Sequence, residues 1–295
     1  MVRKLAYTVM LMLSCSIMMA GNKHALTVFI SEYPKDSGWN ALNSSNDKKL
    51  LMPILKEMGF EEQNIICLED QMATYANICR SFEELIGRVR KGDEVYIHFC
   101  CHGQQISDID ADEALVNPKD KFDEALIPYD AAIAYDWNGY KGEKHLLDDT
   151  LNMWLGTLTS VAGEDGLVVF VADACHSGDL KRAKEIENFH IYRGTFDAFR
   201  LPLPVVKTGR SPHQLSWVSI SACKDFQTNY ECEADGVKYG RLSYALSRCI
   251  SGCISVKGLI DALKREYAAI PLPKGKAQTI EVECPEKLLN KSFFR

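Results

Sequence analysis

A histidine and a cysteine each follow an apolar run of the kind that forms a buried strand. Residues 95–101 lead directly into His102, and residues 167–172 are followed three positions later by Cys175. In open α/β sheets, sites form beyond the carboxyl ends of the strands, so adjacent strands would bring both side chains into one crevice. A thiolate is the effective nucleophile, and a nearby imidazolium lowers the pKa of a thiol. We therefore predict that Cys175 is a catalytic nucleophile and His102 its acid/base partner.

Two backbone N–H groups beside this pair could bind an oxyanion. Gly103 allows a substrate to approach closely, and its N–H and that of Cys175 could donate to a developing negative charge. Two other histidines are rival bases, but His98 lies within the predicted strand and His176 on the turn after the nucleophile. Cys101 could suggest metal ligation, yet no second group of ligands accompanies it in the sequence.

The elements that would position these residues alternate between strands and helices. Near-continuous apolar runs predict strands that are buried on both faces of a mainly parallel sheet. Helical periodicity separates them, with Pro53 predicting a kink or a late start in the first helix. We therefore predict an α/β three-layer sandwich, with a central sheet of about six strands and helices on both faces. The predicted strands are 25–31, 64–68, 94–101, 167–172 and 216–221, with 278–283 at an edge, and the predicted helices are 50–58, 78–89, 146–161, 242–250 and 256–267.

Two segments are predicted to be loops. Residues 104–123 are polar and rich in aspartate, and residues 181–214 carry scattered basic side chains together with Pro202 and Pro204. An irregular stretch as long as the second inside a compact domain is usually functional. We predict that 181–214 is a processing or linker loop.

The composition is that of an ordinary globular enzyme with a modest negative charge. The 295 residues are 46% hydrophobic and 25% charged, and the net charge is −6 at pH 7. A negative chain without a Lys/Arg stripe argues against a nucleic-acid partner.

The first residues have the features of a secretory signal peptide. Arg3 and Lys4 precede an apolar run that ends in the small residues Ala20 and Gly21. We predict that residues 1–22 are a signal peptide, so that the chain is periplasmic or secreted once the leader is cleaved and anchored to a membrane by its N-terminus otherwise. No later stretch is long and apolar enough to predict a transmembrane span.

Six blocks of sequence, in this order along the chain, resemble the metacaspases of the caspase-like clan. They are FCCHG (99–103), DEALIPYD (123–130), LDDTL (147–151), DACHSG (173–178), SACKDFQ (221–227) and YGRLSYAL (239–246). The resemblance implies a caspase-like domain over residues 23–295. It also implies a cysteine endopeptidase, made as a zymogen, that acts through a Cys–His dyad and a thioester intermediate.

The residues around the nucleophile predict a preference for basic substrates. Asp173 shares the nucleophile's side of its strand and would present a carboxylate that suits a substrate Arg or Lys. By resemblance, Asp47 supplies a second carboxylate of the pocket, although its position alone suggests a helix-capping residue. Cys100 is predicted to line the same pocket. The expected partner is a peptide or protein with Arg or Lys before the scissile bond.

The resemblance raises the possibility that calcium is a cofactor. The proposed chemistry requires no cofactor, but many metacaspases hold calcium through aspartates near the site. Asp123, Asp148 and Asp149 resemble three of those positions, whereas Arg182 stands at the fourth.

Self-cleavage and two alternative functions are also compatible with the sequence. The predicted loop offers the enzyme seven basic residues of its own: Lys181, Arg182, Lys184, Arg193, Arg200, Lys207 and Arg210. A non-catalytic caspase-like scaffold is the first alternative, although such a module would normally have lost the His or the Cys. A clostripain- or gingipain-like peptidase is the second, but the blocks that contain Gln227 and Gly240 favour the metacaspase branch.

Overall fold

The structure is a computed structural model that describes residues 21–108, 121–175, 191–202, 215–224 and 227–294. Its strands are β1 (Lys23–Phe29), β2 (Ile65–Glu69), β3 (Glu94–Cys100), β4 (Gly103–Ser107), β5 (Phe122–Leu126), β6 (Leu146–Leu147), β7 (Leu167–Asp173), β8 (Val218–Ser221), β9 (Glu231–Ala234), β10 (Val237–Gly240) and β11 (Glu281–Glu283). Its helices are α1 (Ser44–Glu57), α2 (Tyr75–Arg88), α3 (Asp148–Ala162), α4 (Arg241–Cys249) and α5 (Val256–Ala269).

A six-stranded sheet runs through these residues in the order β11-β8-β7-β3-β1-β2. Neighbouring strands are parallel except for β11, which pairs antiparallel with β8 at the edge. Parallel strands need crossover connections, and α1, α2 and α3 lie in those connections. The predicted sheet of about six mostly parallel strands is therefore confirmed.

Two separate hydrophobic clusters cover the two faces of the sheet. On one face, Tyr96 and Cys100 of β3 pack in the cluster that contains buried side chains of α1, α4 and α5. On the other, Ile97 and Phe99 pack in the cluster that contains side chains of α2 and α3. Successive side chains of a strand point to opposite faces, so a strand buried on both faces reads as a continuous apolar run. This arrangement confirms the predicted three-layer sandwich.

Pro53 does not delay the first helix as expected. The helix α1 begins at Ser44 and continues to Glu57, with Pro53 inside it. Its apolar side chains Leu51 and Leu55 are buried against the sheet, and this packing outweighs the loss of one main-chain hydrogen bond at the proline. The helix therefore starts early enough to bring Asp47, in its first turn, to the sheet edge.

The prediction of a loop at 104–123 is wrong at both of its ends. Strands β4 and β5 pair antiparallel, and β6 extends them to a small three-stranded sheet beside the main one. Polar residues in these short strands hide the apolar alternation that would have predicted them. Residues 109–120 lie outside the described part of the chain.

A β-hairpin was also missing from the sequence prediction. Strands β9 and β10 pair antiparallel across a tight turn at Asp235 and Gly236. Both turn residues have positive φ, 51° and 76°, as the common two-residue hairpin turn requires. The Asp-Gly dipeptide was the available signal for this hairpin.

Two regional predictions fall largely outside the described residues. Residues 1–20 of the predicted signal peptide are not described, and neither are 181–190 and 203–214 of the predicted processing loop, which include Arg182. The rival base His176 also lies outside the described residues. Among the helices that are described, none has the length and apolar character needed to cross a membrane.

Candidate active site

The register of two central strands brings His102 and Cys175 to the same level of the sheet edge. Strands β3 and β7 are parallel neighbours in which Cys100 lies opposite Asp173. His102 and Cys175 each follow that pair by two residues, so both leave the sheet at its carboxyl edge. Both are buried, at 2% and 1% exposure.

Aromatic rings and one hydrogen bond fix the His102 imidazole. Its ring stacks on Trp39 at a centroid distance of 4.7 Å and lies 5.2 Å from the ring of Tyr33. Nε2 lies 2.8 Å from the carbonyl oxygen of Asn40. A carbonyl oxygen only accepts, so Nε2 carries the proton and Nδ1 has the free lone pair in the neutral ring. Nδ1 is buried and has no hydrogen-bond partner among the described residues.

Burial lowers the pKa of His102 to about 4, outweighing the effect of the hydrogen bond to Asn40, which raises it. The ring is therefore neutral at pH 7 in this state, with a lone pair on Nδ1. The sequence prediction assumed an imidazolium that stabilises a thiolate. This state differs because burial keeps water away from the ring and disfavours its charged form.

The two N–H groups predicted to bind an oxyanion donate to one and the same carbonyl oxygen. That oxygen belongs to Arg193, and its distances are 2.7 Å from the Cys175 nitrogen and 3.3 Å from the Gly103 nitrogen. The Cys175 Sγ in turn donates to the carbonyl oxygen of Gln227 at 3.2 Å. A main-chain carbonyl of the protein itself thus lies beside the predicted nucleophile.

A buried pocket of acidic side chains surrounds the guanidinium of Arg193. Nη2 lies 2.6 Å from Asp47 Oδ2 and 3.1 Å from Glu231 Oε1, and Nη1 lies 3.6 Å from Asp173 Oδ2. The side chains of Arg193, Asp47 and Asp173 are fully buried. Cys100 borders this pocket, because its ligand atom and those of Asp47 and Asp173 lie within 4.8 Å of one another. The three predicted pocket residues are thus brought together.

Hydrogen bonds from separate elements hold Asp173 in its ionised form. Its carboxylate accepts from the Ser243 N–H at 2.8 Å, from the Ser243 hydroxyl at 2.7 Å and from the Asn229 side chain at 2.8 Å. Burial acts to raise the pKa of Asp173, but the charge of Arg193 and these hydrogen bonds outweigh it, and the pKa lies below its usual value.

Asp47 has a weaker set of partners and a different protonation behaviour. Oδ1 accepts from the Gly240 N–H at 2.8 Å and Oδ2 accepts from Arg193. Burial raises the pKa of Asp47 to about 7 in spite of these two contacts. Asp47 is not a helix cap, because the N-cap of α1 is Asn43, four residues earlier.

The rival residues have structural roles. His98 contacts the Tyr96 hydroxyl through Nδ1 at 2.7 Å and the Ser243 hydroxyl through Nε2 at 3.1 Å, so it lies behind the pocket and supports Ser243. Cys101 packs in the hydrophobic cluster beneath α2 and α3, where burial raises the pKa of its thiol to about 12. It is thus unsuited to metal ligation as a thiolate.

Sequence reasoning missed three residues that build the pocket. Glu231 supplies the third carboxylate and is held by the main-chain and side-chain nitrogens of Asn43 at 2.9 Å and 2.5 Å. Ser243 and Asn229 orient Asp173. Glu231 opens a short strand and has no local signature, whereas Ser243 falls inside a block that resembles the metacaspases.

The aspartates that resemble calcium ligands lie near one another at one end of the small sheet. Strands β5 and β6 are antiparallel, so Asp123 on β5 and Asp148 and Asp149 at the start of α3 lie toward the same end. Carboxylate oxygens are ligands that calcium prefers. Within the described residues, however, these aspartates are not part of a group of three whose ligand atoms lie within 4.8 Å. Calcium binding there stays a prediction.

Comparisons with known proteins agree on one family. Residues 23–182 match the family model of the metacaspase, peptidase C14 domain. Metacaspase-1 of Eremothecium gossypii is 27% identical over 165 residues, which are 54% of this chain and 32% of that protein. Metacaspase III c of Phaeodactylum tricornutum is 28% identical over 165 residues, which are 54% of this chain and 44% of that protein. The chain thus spans less than half the length of these relatives.

A solved structure supports the fold over nearly the whole chain. A protein of Geobacter sulfurreducens superimposes with a TM-score of 0.62 at 20% sequence identity, covering 92% of this chain and 98% of that one. The matched family region contains both His102 and Cys175. The chain belongs to the metacaspase family.

Proposed function

We propose that this chain is a cysteine endopeptidase that cleaves peptide bonds after Arg, and less efficiently after Lys. One observation carries the proposal: an arginine side chain lies among three carboxylates while its carbonyl oxygen accepts from the Cys175 and Gly103 N–H groups. A buried cation is stable only with such compensation. The same contacts would bind a substrate arginine and direct its carbonyl carbon to the nucleophile.

The proposed reaction is acyl transfer in two steps. His102 Nδ1 takes the thiol proton, and the Cys175 sulfur attacks the carbonyl carbon while the two N–H groups stabilise the oxyanion. The imidazolium then donates its proton to the leaving amine, which leaves a thioester. Water, activated by His102, hydrolyses the thioester and frees the sulfur.

The preference for Arg over Lys follows from the geometry of the acidic pocket. The carboxylates contact two different nitrogens of the guanidinium, with Asp47 and Glu231 on Nη2 and Asp173 on Nη1. A lysine ammonium is a single point charge on a differently shaped stem and cannot contact all three groups in this way.

A peptide-library cleavage profile with purified protein tests the proposal, run with calcium and with a chelator. We expect cleavage after Arg, weaker cleavage after Lys and none with Cys175→Ala.

Asp173→Asn keeps the side-chain size but removes a charge, so kcat/KM for arginyl peptides should fall by about 10²-fold, consistent with about 3 kcal/mol for breaking a buried ion pair. Activity retained by Cys175→Ala would refute the assignment. If an arginyl electrophile does not label Cys175 covalently, the result would favour the alternative of a non-catalytic scaffold.

A further inference from the structure

The segment Ile191–Gly194 lies in the candidate cleft as a bound peptide would. The Arg193 N–H donates to the carbonyl oxygen of Asn229 at 2.9 Å, and the Glu231 N–H donates to the carbonyl oxygen of Ile191 at 2.9 Å. The segment thus adds a short strand to the edge formed by residues 229–231, which is a common mode of peptide recognition. On its other side, Gly194 forms a parallel bridge with Gly103.

The acidic pocket and the predicted oxyanion site both meet this one segment. The Arg193 side chain is fully buried among carboxylates, and its carbonyl oxygen accepts from both N–H groups of the predicted oxyanion site. The next residue, Gly194, lies against the nucleophile. A Cβ added to Gly194 would overlap the carbonyl oxygen of Cys175 and lie 3.0 Å from its Cβ. The peptide bond between Arg193 and Gly194 therefore lies beside Cys175.

We propose that Arg193–Gly194 is the bond at which this chain cleaves itself, and that the segment blocks the cleft before that cut. This inference rests on the proposed function and selects one of the seven basic residues of the loop. The Cys175 sulfur forms a bond to the Arg193 carbonyl carbon as the bond to the Gly194 nitrogen breaks. The amine leaves with a proton from His102, and water releases Arg193 as a carboxylate. The products are residues 1–193 and 194–295 before any other processing.

The close approach of the segment to Cys175 requires a glycine directly after Arg193. A larger residue at 194 would collide with the Cys175 main chain and with the carbonyl oxygen of Gly103, 3.1 Å from an added Cβ. Cys175 follows the end of β7 and Gly103 begins β4, so neither main chain can shift without moving a strand. No other basic residue of the described loop, 191–202, precedes a glycine.

The test follows the purified full-length chain over time by intact mass and N-terminal sequencing. We expect a fragment that begins Gly194-Thr195-Phe196 and appears at a rate independent of protein concentration, because the cut is intramolecular. Cys175→Ala should remain intact. Arg200→Ala, the matched control that removes a basic residue of the same segment, should be cut at the same bond as the wild type. A cut after another basic residue with the bond between 193 and 194 intact would overturn the proposal.

Two variants of Arg193 keep the test decisive if one of them fails to fold. Arg193→Ala should abolish the Gly194 fragment, but it leaves three buried carboxylates without their cation. Arg193→Lys keeps the charge, and the fragment should then appear more slowly; an unchanged rate would contradict the proposal. If the wild type cuts added arginyl peptides but never yields Gly194 as an N-terminus, only this inference fails. If it cuts neither, the proposed function fails as well.

Discussion

At the scale of single residues, the two aspartates of the pocket are not equivalent. Asp173 is held ionised by Ser243 and Asn229, whereas burial raises the pKa of Asp47 to about 7. Of these two aspartates, one therefore keeps its charge and the other titrates near neutral pH. We infer that binding of a cation to the pocket is linked to loss of a proton from Asp47.

This linkage predicts weaker binding of arginine-like ligands at lower pH. The pKa of about 7 belongs to the pocket that holds a cation, because the charge of Arg193 lowers it, and it lies higher in the empty pocket. The inhibition constant of agmatine against the self-cleaved enzyme should therefore rise as the pH falls from 8 and level off below pH 7 on the way to pH 6. The rise should not exceed about tenfold per pH unit, the limit for one titrating group. Agmatine has no carbonyl group, so its binding reports the pocket and not the dyad.

Asp47→Asn provides the control for this prediction. The variant should bind agmatine weakly at every pH and lose most of the dependence between pH 8 and pH 6. A steep dependence that persists in Asp47→Asn would assign the titrating group elsewhere.

The sequence identified these residues to different degrees. His102 and Cys175 stand where apolar runs end, and Asp173 follows from its offset to the cysteine, so local patterns were enough. Asp47 needed the family resemblance. Arg193 and Glu231 had no local signal, because their roles depend on pairing between segments that are far apart in the chain.

At the scale of elements, the β9–β10 hairpin and the start of α4 shape the pocket. Gly240 ends β10 and forms the N-cap of α4, and its N–H binds Asp47. A Cβ on Gly240 would overlap Asp173 Oδ2 and the Arg193 guanidinium. Glycine is needed here for space, because its φ of −60° is accessible to any residue.

Gly240→Ala should accordingly impair recognition of arginine. Overpacking of about 1–3 kcal/mol corresponds to a loss of roughly 5- to 150-fold in kcat/KM for arginyl peptides, mostly through KM. Gly87→Ala is the matched control, since a Cβ there meets nothing within 4 Å, and its activity should equal that of the wild type. Equal activity of both variants would show that the pocket does not hold the substrate side chain at Gly240.

Long central elements were predictable and short peripheral ones were not. Strands β3 and β7 are apolar over most of their length, as strands with both faces covered require. Strand β4 and the segment Ile191–Gly194 are short and polar, and their hydrogen bonds are made with distant partners. Their conformation depends on the assembled fold, so it leaves little pattern in the local sequence.

At the scale of the whole molecule, the proposed cut divides the chain but not the core. Residues after Gly194 supply β8, which pairs directly with β7 in the central sheet, and the helices α4 and α5. Their buried side chains, including Leu242 and Leu259, share one hydrophobic cluster with Phe29 and Leu51. Separating the two products would expose this cluster to water.

We therefore expect the two products to remain associated. Gel filtration of the self-cleaved protein without denaturant should give one peak at the elution volume of intact Cys175→Ala. Two bands should appear only after denaturation. Two peaks under native conditions would show that the cut destabilises the fold.

The segment Ile191–Gly194 competes with external peptides for the cleft. A tethered ligand competes at an effective concentration that is commonly millimolar for a short connection. An external arginyl peptide at micromolar concentration would displace it only rarely, so the segment would keep substrates out of the cleft of the uncut protein. After the cut, the peptide that ends in Arg193 still belongs to the associated complex and still fits the acidic pocket. Its departure, more than the cleavage itself, would then set the lag before the enzyme turns over other proteins.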